Sequence, residues 1–175
     1  MQNTLSDESK KSLNTLMKIW FAIAASLLLY LVVCYILFIT ETYHPPFSLE
    51  ALQTNLLSGL TLHAGLYLIA AIIFIGADTH SKYSYRKLLQ VAANQKFKTK
   101  NDEFNFFRTK YASIMFTHIA IFNLIAILGV IVFLMTFDFT TLMNMIIIAL
   151  LGFVLLIPSK AKFEFPDIKA CPIKK

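Results

Sequence analysis

Four stretches of this chain run for about twenty residues or more without a lysine, arginine, aspartate or glutamate. No other feature of the sequence constrains the fold so tightly. They cover approximately 19–40, 56–77, 112–137 and 139–158. A helix of about 20 mostly apolar residues, rising ~1.5 Å per residue, crosses a hydrocarbon core of ~30 Å. Alternation with period two is missing and each run is longer than a barrel strand needs, which excludes a membrane β-barrel. The sequence therefore predicts an all-α integral membrane bundle of four transmembrane helices. They form two helical hairpins within one membrane domain spanning residues 1–175.

Composition supports this reading where it matters. Only 15% of residues are charged and 57% are hydrophobic, whereas a soluble domain carries about a quarter charged residues to cover its surface. Five glycines, five prolines and two cysteines exclude a collagen-like fibre, a disordered linker and a disulfide scaffold.

Orientation follows from the positions of the 16 lysines and arginines. Three lie before the first run, eight between the second and third, and five after the fourth. The segments 41–55 and the tight connection around Asp138 hold none. By the positive-inside rule both termini and the middle segment are cytoplasmic. The first run is too long for the apolar core of a signal peptide and reads as an uncleaved anchor. Cys34 falls mid-helix and Cys171 in the cytoplasmic tail, so no disulfide is expected.

The middle segment, 78–111, reads as a basic cytoplasmic loop with helical extensions. Leu88, Leu89, Val91 and Ala92 continue the second helix, and Asn101 is placed to cap the third, with Asp102 and Glu103 at its positive end. Lys82, Arg86, Lys87, Lys96, Lys98, Lys100, Arg108 and Lys110 face anionic lipid head groups or an acidic partner. Phe104, Phe106 and Phe107 are expected to insert beside them as interfacial anchors. Every basic cluster abuts a membrane segment, which argues for lipid and against nucleic acid. Pro45 and Pro46 stop any helix in the outer loop. Asp138, Thr140 or Thr141 caps the fourth helix.

No hydrolase elbow, P-loop, dinucleotide fingerprint, zinc pattern or carboxylate pair is present, so neither catalysis nor a cofactor is expected. The candidate polar intramembrane site comprises His63, Thr117, His118, Asn123 and Asn144. Counted along the runs, His63 lies in the outer leaflet and His118 in the inner one, too far apart to share a ligand. His44 is able to approach His63, and His80 to approach His118, so each pair is a candidate metal or haem ligand set. Asn123 and Asn144 suit interhelical hydrogen bonds. Asn123, Thr117 and His118 together form the alternative of an ion path.

The stretch from Thr117 to Met135 resembles the ion-carrying helix of subunit c of rotary ATP synthases. Thr117, Ala120 and Phe122 fit its small and aromatic positions, while His118 stands in place of the carboxylate and Asn123 in place of a glycine. The chain is also similar to small bacterial four-helix membrane proteins whose first helix is like that at residues 19–37. The resemblance implies an all-helical membrane fold; without the carboxylate it does not imply ion carriage. The expected role is a non-catalytic accessory or structural subunit of a larger membrane assembly, or a homo-oligomer. A small transporter or channel and a haem- or metal-binding redox subunit are the alternatives.

Overall fold

The computed structural model describes residues 2–57 and 60–159, and the side chains of 9–55 and 60–159. Four helices follow in order: α1 (Gln2–Thr40), α2 (Leu62–Asn94), α3 (Lys100–Thr136) and α4 (Phe139–Leu155). Between α1 and α2 lie a 3-10 turn at Leu49–Gln53 and a small antiparallel ladder of β1 (Asn55–Leu57) with β2 (Leu60–Thr61). α1, α2 and α3 are each long and apolar enough to cross a membrane. At 17 residues, α4 is about 25 Å long, the lower bound for a span.

The helix ends differ from the sequence boundaries for local reasons. The second apolar run does not begin as helix at residue 56. Asn55 pairs with Thr61 and Leu57 with Leu60, and the Leu62 amide is held by the Thr54 carbonyl at 2.9 Å. The Thr61 hydroxyl then accepts from the Ala64 N–H as N-cap, so α2 starts six residues later than that run. The fourth run is expected to reach residue 158, yet α4 stops at Leu155. Pro158 has no N–H to donate and restricts the residue before it, which ends the helix early. The middle segment is almost entirely helical, and only residues 95–99 connect α2 to α3. The cap of α3 is Thr99, not Asn101. Its hydroxyl accepts from the Asp102 N–H, and the Asp102 carboxylate accepts from the Thr99 N–H, a complete capping box.

α3 and α4 form the core pair, with α2 packed mainly on α3 and α1 mainly on α4. The turn between them uses Phe137 in the left-handed region, at φ 61°. Asp138 is the N-cap of α4, accepting from the Thr140 and Thr141 amides at 3.0 and 3.2 Å. Phe107, Phe122, Phe133, Phe153, Met145 and Ile146 fill the centre. Two glycines let the helices close. A Cβ at Gly129 would stand 2.7 Å from the Met145 Cβ, and one at Gly152 would overlap the Phe122 ring.

The flanking elements bind to carbonyls in the last turns of α3 and α4. Trp20 Nε1–H donates to the Phe153 carbonyl at 3.1 Å and ties α1 to the end of α4. The Tyr43 hydroxyl donates to the Leu134 carbonyl at 2.8 Å, and the Phe47 amide to the Met135 carbonyl at 3.1 Å. The outer loop thus closes the last turn of α3.

Large apolar side chains cover the outside of the bundle. Phe21, Leu29, Ile72 and Ile75 are each more than 60% exposed, and Leu28, Val33, Ile39, Leu68, Leu151 and Val154 continue the same surface. Contiguous apolar area on this scale exceeds what a soluble monomer leaves in water.

Candidate functional site

The intramembrane polar residues assemble into two separate networks. In the first, His63 lies in the first turn of α2, and its Nε2 meets the Thr141 hydroxyl of α4 at 2.9 Å. The Thr141 hydroxyl donates to the Asp138 carboxylate at 2.5 Å. That hydroxyl has one proton and spends it on Asp138, so the imidazole must donate and its proton sits on Nε2. One turn further along, the His63 ring meets Tyr67 edge-to-face at 4.9 Å between centroids. The Tyr67 hydroxyl accepts from the Asn144 amide of α4 at 2.9 Å. Asp138, Thr141, His63, Tyr67 and Asn144 therefore pin the start of α2 to the start of α4.

The chemistry open to this network is narrow. Activation of a hydroxyl nucleophile requires the imidazole to accept its proton, whereas here the proton flow runs from His63 through Thr141 to Asp138. Thr141 is also fully buried, so no substrate reaches it. The five groups act as an interhelical clamp built on a helix cap.

The second network joins α2 to α3 near the middle of both helices. His118 Nδ1–H donates to the Ile114 carbonyl at 2.6 Å, so its Nε2 is free to accept, and His80 Nδ1–H donates to it at 3.0 Å. His118 is 1% exposed, while His80 is open at the surface. The pair has two ring nitrogens 3.0 Å apart with a proton between them. Metal–imidazole bonds of about 2.0–2.1 Å would require that hydrogen bond to break first. Among the described residues no group of three or more His, Cys, Asp and Glu side chains is placed to hold a metal ion.

The remaining sequence candidates are dispersed. His44 is exposed in the outer loop, beside Phe38, Glu41 and Phe137, and His63 takes Thr141 in its place. Thr117 faces outward from α3 while His118 faces inward, so the two do not line one path. The Asn123 Oδ1 is buried without a hydrogen-bond partner. The Asp78–Lys82 pair, 2.6 Å apart on successive turns of α2, borders a cleft of about 260 Å³ shared with Tyr85 and Tyr111.

All eight cations of the middle segment are exposed. The aromatic residues beside them correct the sequence expectation: Phe104 and Phe107 are 7% and 0% exposed and belong to the core, with Tyr111 on the same face at 6%. Their i, i+3, i+7 spacing marks the buried stripe of α3. The N-terminal part of α1 covers it, with Leu16 buried in the same core and Arg108 bonded to Ser12 at 2.8 Å. Phe106 is half-buried against Phe97. The five C-terminal cations, from Lys160 to Lys175, and Cys171 lie outside the described residues.

No family model, curated protein or solved structure matches the chain.

Proposed function

We propose that the chain is a non-catalytic integral protein of a bacterial inner membrane, crossing it four times with both termini in the cytoplasm. Its role is that of an accessory or structural subunit in a larger membrane assembly, or of a homo-oligomer. The partition of charge carries this reading: every lysine and arginine lies outside the apolar runs and on one side of the topology. The bundle interior supports it, because its histidine networks are spent on holding helices together. His63, Thr141 and Asn144 clamp α2 to α4, and His118 clamps α3 to α2. An active site needs a nucleophile or acid–base pair that a substrate can reach, and these networks offer none. The proposed partners are anionic lipid head groups on the cytoplasmic side and one or more membrane proteins, without nucleic acid or cofactor.

Purification from native membranes in mild detergent tests the role. The expected result is a stoichiometric partner or a multiple of the 19.9 kDa chain; a lone monomer contradicts it. One observation favours a second reading, a small transporter: the unpartnered, buried Asn123 Oδ1. Flux into reconstituted vesicles that disappears with Asn123→Leu would support that alternative. A redox subunit rests on the His80–His118 pair, and a Soret band lost with His118→Ala would support it.

A further inference from the structure

A groove of about 640 Å³ lies between the cytoplasmic extensions of α1 and α3. Lys11, Ser12 and Thr15 line it from α1, and Asn101, Asn105 and Arg108 from α3, over a floor at Leu16. Among the described lining residues there is no carboxylate. The hydrogen bonding leaves its donors directed at a guest. Arg108 gives one N–H to the Ser12 hydroxyl at 2.8 Å, which keeps its other N–H groups and leaves the Ser12 proton free to donate. The Asn105 amide bonds to Asn101 Oδ1, so the Asn101 NH2 is still available. Two cations, a hydroxyl and an amide thus converge from two helices, a donor set suited to phosphate oxygens.

The depth of the groove selects the source of that phosphate. Arg108 and Thr15 each stand four residues before the apolar run of their helix, about 6 Å beyond the hydrocarbon edge. Head-group layers occupy roughly 5–8 Å on each side of the core, so these side chains stand at phosphate level. Lys11, at about 12 Å, reaches up from the aqueous side.

We propose that this groove is a binding site for the phosphate head group of one anionic phospholipid, which would join α1 to α3 at the cytoplasmic surface. It rests on the four-span reading and deepens it, replacing a diffuse attraction along the basic segment with a defined site.

The test uses the delipidated full chain in detergent, with bound lipid counted by native mass spectrometry. Phosphatidylglycerol is expected to bind one molecule per chain, and phosphatidylcholine much more weakly. Combining Lys11→Gln with Arg108→Gln should lower phosphatidylglycerol affinity roughly tenfold or more. Removing two charges of the basic segment outside the groove, by Lys96→Gln with Lys98→Gln, should lower it far less. Lys11→Gln alone preserves the Arg108–Ser12 bond and should still weaken binding, so the result does not depend on whether the double variant keeps α1 in place. Equal losses in the two double variants, or equal binding of the two lipids, would overturn the proposal in favour of non-specific attraction. Competition by inorganic phosphate at millimolar concentration would overturn the lipid assignment in favour of a soluble phosphate ligand. Failure of the four-span topology itself would appear in side-specific labelling of intact cells, which this binding measurement does not involve.

Discussion

Thr141 serves two neighbours with one hydroxyl, donating to Asp138 and accepting from His63. Replacing it with valine keeps the shape and leaves a carboxylate oxygen and an imidazole N–H without their partner. Interhelical hydrogen bonds in membrane proteins contribute about 0.6 kcal/mol on average and up to about 1.7. An orphaned buried group costs about 1–3 kcal/mol. Thr141→Val is therefore expected to destabilise the protein in detergent by about 1–2 kcal/mol, measured by thermal unfolding, and adding His63→Ala should cost less than the separate effects combined. Full additivity would show that the two side chains are not coupled. The sequence exposed half of this network. His63 and Asn144 stand out because a polar residue in an apolar run has to be explained. Tyr67 and Thr141 do not, since both are common in membrane helices. Their pairing also depends on contact between helices 78 residues apart in sequence, which local pattern does not encode.

The element scale belongs to the α3–α4 hairpin. Its turn is short, its cap is Asp138, and its two helices approach as far as Gly129 and Gly152 allow. Gly152→Ala would push a methyl group into the Phe122 ring, which is itself fully buried. Overpacking of this kind typically costs about 1–3 kcal/mol, against the slight gain from alanine's better helix propensity. A lower unfolding temperature in detergent is expected, with helix content by circular dichroism unchanged; an unchanged or higher one would mean that the helices separate at this level without cost. The existence of all four helices was legible because apolar runs of this length have few other solutions. Their ends were less so. The second run carries no charge from residue 56 onward, yet the Thr61 cap and a short ladder of Asn55–Leu57 with Leu60–Thr61 precede α2. Phe104, Phe107 and Tyr111 have the spacing of one helical face, and that spacing is the same whether the face meets lipid or protein. The cover supplied by α1 decides the matter, and α1 is distant in sequence.

At the scale of the whole molecule, an end rich in cations, an apolar belt and an opposite end whose charges are the carboxylates Glu41, Glu50 and Asp138 are stacked along the bundle axis. The exposed side chains of α1 and α2 supply most of the belt. The eight cations of the middle segment all point outward below it. Moving either end through the hydrocarbon would carry several charges into the bilayer centre, at about 2.5–3.5 kcal/mol for each one, so neither end crosses readily once the chain is inserted. Side-specific thiol labelling tests this arrangement most directly, in intact cells carrying Cys34→Ala and Cys171→Ser with one new cysteine. A membrane-impermeant maleimide should label Phe47→Cys from outside and reach Lys96→Cys only after the cells are opened. Labelling of Lys96→Cys in intact cells, or protection of Phe47→Cys there, would contradict the four-span topology with both termini inside.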